Sequence, residues 1–478
     1  MVIMAFFFFM PSIFLANDAG PITAGPIASD APYASGEILV KYKPSLREAT
    51  TEHYQTKWGI TNIRSFHTVG VEHVRLAGEM TVAQAVKMFR NDPNVAYAEP
   101  NYYYHLDIIP NDTHFGLFWG MHNTGQNVNG TTGTDDKDID ALEAWDITFG
   151  ADRVVVAVID SGVDGSHPDL SANLWTNSGE IPGNGLDDDG NGYVDDIRGW
   201  DFANKDNNPA DDNGHGTHVT GIIAAVVNNG IGVAGVAWNA KIMALKSFRA
   251  DGSGLTSDAI LEIAYANLMG ADVINNSWGG APYSQALFDM IGSSSAMVVF
   301  AAGNSGQNND LIPHYPSSYT SANILAVAAT DPNDNLALFS NFGVTLVDVA
   351  TPGVNILSTL SGGGYDYKSG TSMAVPSATG VAALLKAKSH PSAISDNSSN
   401  SSVTGSGLSN LEIIAKIKET VDPVDSLNGQ ITTQGRINAF RAVISTGGNG
   451  DSGGCFVATG CIWLRDGTPC YDSERVLR

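Results

Sequence analysis

Along most of the chain, short apolar runs alternate with stretches whose hydrophobic positions recur at helical spacing. The runs RVVVAVID, KIMALKSF, DVINNSW, AMVVFAAGN and ILAVAAT are rich in β-branched residues, and SDAILEIAYANLMG and TSMAVPSATGVAALLKAK between them read as helices. Strands with one wet face would alternate apolar and polar; near-continuous apolar runs separated by helices indicate a parallel sheet covered on both faces. The pattern predicts an α/β domain over residues 108–445, a parallel sheet flanked by helices on both faces. A smaller pattern precedes it. GEILVKY and VAYAEPNYYYH are strand-like, TVAQAVKMFRNDPNV has helical spacing and ends at a turn, and together they predict a compact α+β unit over 36–107.

Polar and small-residue stretches punctuate these units. Residues 20–35 are rich in Pro, Gly, Ala and Ser and read as a linker. ISDNSSNSSVTGSGLSN, at 394–410, reads as a solvated surface insertion, and residues 446–454 as a Gly-rich linker to a tail at 455–478. The apolar run at the N-terminus is too short to span a bilayer comfortably. It reads as a secretory signal over 1–19, with Ala16 or Ala19 as cleavage candidates, although no Lys or Arg precedes it. No other segment has the pattern of a membrane span.

Composition changes the picture in two ways. The formal net charge of −25 argues against a nucleic-acid partner, because phosphate binding needs a basic surface, and it suits an exported protein that binds hard cations. The only cysteines, Cys455, Cys461 and Cys470, all lie in the tail, so the main body holds no disulfide. Outside a cell, bound calcium is the expected substitute.

Three segments carry candidate chemistry. Asp160 ends an apolar strand in VVVAVIDSGVD, His215 opens a small-residue helix in NGHGTHVTGIIAAV, and Ser372 opens another in SGTSMAVPSATGVAALL. In open α/β sheets, sites form beyond the carboxyl ends of strands and at helix N-termini. A serine hydroxyl needs an adjacent base; an imidazole supplies it, and a buried carboxylate fixes the imidazole's tautomer. Asn304, in AMVVFAAGNSG, follows a buried strand and offers an amide donor that, with the Ser372 N–H, suits a developing oxyanion.

The order Asp, His, Ser in DSG, HGTHV and GTSMA-x-P, with that Asn, resembles the subtilisin family of serine peptidases over residues 108–445. The resemblance implies endoproteolysis through an acyl-enzyme, with Asp160, His215 and Ser372 catalytic and Asn304 in the oxyanion hole. Of the two histidines in HGTHV, it assigns catalysis to His215 and a structural role to His218. It places Ser277, Trp278 and Gly279 of NNSWGG on one wall of the substrate cleft, and Ala301, Ala302 and Gly303 on the other. His314 falls where relatives floor the pocket for the residue before the scissile bond, and an imidazole there makes the pocket shallower or more polar. After Pro376 the chain departs from many relatives, with Ser377 and Ala378.

The acidic run GNGLDDDGNGYVDDIRGWDF is the sharpest metal signal. Asp187, Asp189, Asn191 and Asp195 alternate around Gly192, with the Tyr193 carbonyl between, in the pattern of an EF-hand-like calcium loop. Arg198 stands where such a loop ends in Glu, and Asp196 is the candidate to replace it. The family resemblance implies two further calcium sites. One uses Asp112, Asp169, Asn229 and the carbonyls of Val227, Ile231 and Val233; the other uses Asp201, Asn204, Asp206 and Asn208.

The 36–107 unit resembles the inhibitor-like propeptide of the same family, ferredoxin-like in fold. The resemblance implies that it occupies the cleft as an inhibitor and is cut off by its own protease between about residues 104 and 110. The tail, GGCFVATGCIWLRDGTPCYDSERVLR, is similar to bacterial C-terminal sorting tails but departs from them after ATG and is short; the resemblance implies either retention at the cell surface or a degenerate tail without function. The expected whole is a secreted, calcium-stabilised, monomeric endopeptidase acting on protein or peptide substrates. The rival readings are a catalytically silent binding protein on the same fold and a selective processing protease.

Overall fold

The structure, a computed structural model, describes residues 33–43, 54, 57–78, 80–102, 109–280, 282–389 and 407–445. The expected signal, most of the 20–35 linker and of the 394–410 insertion, residues 103–108 around the expected cut, and the tail from 446 lie outside the described residues. The chain divides into two units, residues 1–105 and 106–478.

In the first unit, strands β1 (Tyr33–Tyr42), β2 (Thr61–Phe66), β3 (Val71–Arg75) and β4 (Val95–Tyr102) form an antiparallel sheet in the order β2-β3-β1-β4. Helix α1 (Val82–Arg90) begins at a capping box: Thr81 accepts from the Gln84 N–H while the Gln84 side chain accepts from the Thr81 N–H. Its buried residues Val82, Ala85, Val86 and Phe89 follow the i, i+3, i+4, i+7 stripe that pins an amphipathic helix to a core. They meet Ile38 and Val40 of β1, Val74 of β3 and Ala98 of β4.

In the second unit the main elements are α2 (Ala141–Trp145), β5 (Val155–Asp160), β6 (Gly199–Asp201), α3 (His215–Ala224), β7 (Lys241–Lys246), α4 (Thr256–Leu268), β8 (Val273–Asn276), α5 (Gln285–Gly292), β9 (Met297–Ala301), β10 (Ile324–Thr330), β11 (Val349–Pro352), β12 (Ile356–Leu360), β13 (Gly364–Lys368), α6 (Thr371–Ser389), α7 (Asn410–Glu419), β14 (Asp422–Pro423), β15 (Gly435–Arg436) and α8 (Ala439–Ile444). The sheet runs β14-β15-β11-β10-β9-β8-β5-β7-β6, with every pair parallel except β14–β15. Strands β12 and β13 form a separate antiparallel hairpin.

The absence of polar alternation has a direct structural cause: each central strand feeds two cores. Val156 and Val158 of β5 face one hydrophobic cluster, with α3 and α6, while Ala157 and Ile159 face the other, with α4 and α5. Val273 and Ile274 of β8 divide in the same way, as do Val299 and Phe300 of β9. Helix α6 is buried from Met373 to Leu385, and Gly380 lies so close to Val236 that a Cβ there would come within 2.5 Å of its Cβ. This is a parallel sheet sandwiched by helices. Among the described residues no helix is long and apolar enough to cross a membrane.

Candidate active site

Asp160 is the last residue of β5, at the carboxyl edge of the sheet, and is almost fully buried. Its Oδ1 accepts from the Ser161 N–H at 2.7 Å and from His215 Nδ1 at 2.7 Å. Oδ2 is buried without a partner among the described residues. His215 opens α3 beside it. Gly216 makes this approach possible, since a Cβ there would sit 2.2 Å from the Gly162 carbonyl and 3.1 Å from Asp160 Cβ. Burial pulls the imidazole towards its neutral form, but the charge and hydrogen bond of Asp160 outweigh it and hold His215 above the ordinary histidine value. His218, one turn on, is buried and pushed down to about 3, so it stays neutral and donates or accepts only locally, with Nε2 3.1 Å from the Asp366 carbonyl.

The start of α3 is held by a residue the sequence reading did not single out. Gly214, at φ +87°, caps the helix without a side chain. Asp211 does the work instead: Oδ1 accepts from the Ser161 hydroxyl, Asn213 N–H and Gly214 N–H, and Oδ2 from the Thr217 N–H and hydroxyl, at 2.6–3.0 Å. It therefore ties the turn after Asp160 to the turn before His215. The available signal was an Asp four residues before the helix start, in reach of otherwise unpaired N–H groups.

Ser372 lies in the first turn of α6, where N–H groups have no intrahelical acceptor. Its hydroxyl donates to the Ser277 carbonyl at 2.9 Å, and the Ser277 hydroxyl donates back to the Ser372 carbonyl at 3.0 Å. Among the described residues no hydrogen bond joins Ser372 to His215; such contacts commonly tighten only when substrate is bound. Asn304 is oriented by Thr371, whose N–H and hydroxyl both donate to its Oδ1, at 2.8 and 2.9 Å. That leaves the Asn304 –NH2 as the group presented beside the Ser372 N–H, with Gly370 adding no side chain between them. Asn341 braces the same loop by accepting from the Ser305 and Gln307 N–H groups.

A cleft of about 220 Å³ runs past the pair, lined by Asp160, Ser161, Asn213, His215, Phe248, Gly252, Ser277 and Trp278. Trp278 packs edge-on against Phe300 and tilted against Phe248. The side chains of Ala301 and Ala302 point into two separate core clusters, so only their backbone is available to a ligand. His314 lies between the two expected walls. A Cβ on Gly279 would come within 2.4 Å of its Cε1, and one on Gly303 within 2.8 Å of its Cδ2. Ser377 and Ala378 are buried in α6.

The expected metal residues fall into three groups. In the first, carboxylate oxygens of Asp187, Asp189 and Glu180 lie within 4.8 Å of one another. Asn191 joins them, its amide 3.3 Å from Asp189 and 2.9 Å from Asp196. Asp195 departs from the expected arrangement: at φ +54° its carboxylate turns to the N–H groups of Gly183, Asn184 and Gly185. The Tyr193 N–H donates to Asn191, and its ring packs on Trp200, Phe202 and Tyr265. Glu180, seven residues before Asp187, went unread because no EF-hand spacing includes it.

In the second group Asp112 accepts from the Asn228 and Asn229 N–H groups, and Asp169 from the Asn229 amide at 2.7 Å and the Val233 N–H at 3.0 Å. Burial raises both carboxyls above the usual range, and the Asp112 charge pushes Asp169 further up. Among the described residues nothing donates to the carbonyls of Val227, Ile231 or Val233. In the third group the Asn204 N–H and amide both donate to Asp201 at 2.8 Å, and Asp206 accepts from the Asn208 N–H.

The chain matches two family models, the subtilase family over residues 151–431 and the fervidolysin N-terminal prodomain over 21–101. It is 36% identical over 416 residues to the thermophilic serine proteinase of Bacillus sp. strain AK1, covering 86% of this chain and 88% of that one. It is 38% identical over 308 residues to thermitase of Thermoactinomyces vulgaris, covering 64% of this chain and 93% of that one. A solved protease structure from Pseudoalteromonas arctica superposes with a TM-score of 0.54 at 29% identity, over 70% of this chain and 99% of that one. With a subtilase model spanning the strand that carries Asp160, the loop that carries Asn304 and the helices that carry His215 and Ser372, and a prodomain model ahead of it, the chain belongs to the subtilase family of serine endopeptidases.

Proposed function

We propose that this chain is an exported serine endopeptidase, stabilised by calcium, that reaches its mature form by cutting off its own N-terminal unit. The observation that carries the catalytic reading is the Asp160–His215 pair at 2.7 Å, its carboxylate buried and its imidazole partly exposed, at the edge where α6 presents Ser372. His215 Nε2 takes the Ser372 proton as the hydroxyl attacks the peptide carbonyl. Asp160 keeps the other ring proton on Nδ1 and stabilises the imidazolium. The Asn304 amide and the Ser372 N–H face the oxyanion. His215 then hands its proton to the leaving amine, and water releases the acyl group by the same steps in reverse. The substrate backbone pairs along Ser277–Gly279, which demands little of its sequence.

Pocket depth is where selectivity enters. With the His314 ring between Gly279 and Gly303, the pocket suits small side chains before the scissile bond. A library varied at that position should favour Ala or Ser over Phe and Leu. His314→Gly should raise kcat/KM for Phe by about 10–100-fold. Strong Phe preference in the unaltered enzyme would refute this role for His314.

Two of the three acidic groups fit calcium. Asp187, Asp189 and Glu180, with Asn191, form an oxygen-rich cluster, and Asp112, Asp169 and Asn229, with the carbonyls of Val227, Ile231 and Val233, form another. Bound there, the ion would neutralise packed carboxylates and clamp loops in a body that has no disulfide. The Asp201 group, with Asn204, Asp206 and Asn208, is the weaker candidate, because Asn204 brings a neutral amide and not a carboxylate. A site filled at a thousandfold above its Kd adds about 4 kcal/mol of stability. Chelation should therefore lower the Tm of an inactive Ser372→Ala protein by about 10 °C or more. Asp169→Asn and Asp187→Asn should each remove part of that difference, and a Tm insensitive to chelation would end the calcium reading. Export by the N-terminal segment, inhibition by the prodomain, a monomeric state and surface retention by the tail complete the proposal.

A further inference from the structure

Lys368 is the last residue of β13, four residues before Ser372. It is half-buried, and its ammonium donates to the Gly214 carbonyl at 2.6 Å. Gly214 immediately precedes His215 and is the left-handed residue from which α3 starts. One lysine thus links the segment that delivers the nucleophile to the turn that delivers the base. The hairpin bearing it is fastened to the same helix elsewhere, through Ser358 to the His218 carbonyl and Thr359 to the Thr217 carbonyl. Gly214 therefore does not depend on Lys368 alone for its place, and the question is what a cation adds there.

The charges around His215 answer it. Asp160 on β5 and Asp211 on the preceding turn both favour the imidazolium. His218 on α3 is neutral. Asp212 is engaged by Lys246 of β7, Asp164 accepts from the Gly362 N–H, and Asp366 neighbours Lys368 on β13. The loop that receives the Asn213 amide carries Arg249 and Asp251. Lys368, held on the Gly214 carbonyl, is the cation whose charge opposes those two carboxylates at His215.

We propose that Lys368 is a positioning residue for the general base, bracing the turn before His215 and countering, as a fixed cation, the carboxylates that favour its protonated form. An imidazole held too firmly as imidazolium cannot accept the Ser372 proton, so the lysine extends the range over which the base is free. This rests on His215 being the base.

The experiment is the pH profile of kcat/KM on a peptide substrate for the wild type, Lys368→Met, Lys368→Gln and Lys368→Arg, with His215→Ala alongside. Removing the cation should favour the imidazolium, so the acid limb for Met should move to higher pH by about 0.5–1 unit. Gln, neutral but still able to donate to Gly214, should show the same shift and serves if Met fails to fold. The Arg limb should coincide with the wild type. The limb, not the plateau, is the readout, because a brace alone would change the plateau and leave the limb where it was. Coincident limbs for wild type, Gln and Met overturn the proposal, as does an Arg limb displaced as far as that of Met. If His215→Ala retains hydrolysis, the assignment of the base falls and this proposal with it.

Discussion

A Ser372→Ala precursor, folded with calcium, should stay at full length while the wild type loses about its first hundred residues. Intact mass against time reads both. The hydroxyl donates to the Ser277 carbonyl, on the expected substrate strand, and it stands on the helix turn whose N–H faces Asn304. Alanine keeps the N–H, Asn304 and the Asp160–His215 pair, and removes only the nucleophile. Hydrolysis of a peptide substrate should fall by about 10⁶, leaving the residual rate that oxyanion donors and binding supply. The variant also separates processing in cis from processing by a neighbour. Adding a trace of mature wild type should cut the variant if the junction is accessible to a second molecule. If the wild type itself stays whole, self-processing is wrong, and a wild type that hydrolyses peptides nonetheless would show that another protease releases it. If Ser372→Ala matures unaided, Ser372 is not the nucleophile.

Several features of the fold were legible because their causes are local in sequence. The apolar run of β5 was readable as doubly buried since each successive residue must face one of two cores, and Val156–Ile159 do so in alternation. The capped, striped helix α1 was readable for the same reason. Asp160, His215, Asn304 and Ser372 each sit in a short motif next to a strand end or helix start, so a reader of the sequence meets them in place. Residues whose part depends on a distant partner were not legible. Asp211 looked like one acid in a run of acids, and its five donors are assembled only when the turn after Asp160 meets the turn before His215. Glu180, not Asp195, stands with Asp187 and Asp189, while the Asp195 carboxylate, on a left-handed residue, accepts from the N–H groups of Gly183, Asn184 and Gly185. Lys368 carries no motif, and its meaning lies in a contact across 154 positions of chain.

Asp160→Asn should lower kcat/KM by about 10³–10⁴, the size of loss serine peptidases show when this carboxylate is neutralised. The structure offers the variant two orientations, and both harm the base. In one, the amide oxygen stays where Oδ1 accepts from Ser161 and His215, and the –NH2 enters the place of Oδ2, a buried position that receives no hydrogen bond among the described residues. The tautomer survives but the imidazolium loses its counter-charge. In the other, the –NH2 faces the Ser161 N–H and His215 Nδ1, which sets donor against donor and drives the ring proton to Nε2, where it blocks transfer from Ser372. The pH profile tells them apart. Asp160 holds His215 above its ordinary value, so its neutralisation in the first orientation should carry the acid limb to lower pH, opposite to the shift expected for Lys368→Met. The second should give a low rate with no limb attributable to His215. A variant with wild-type rate would mean that the Asp160–His215 pair takes no part in catalysis, and the acyl-transfer reading of the site could not stand.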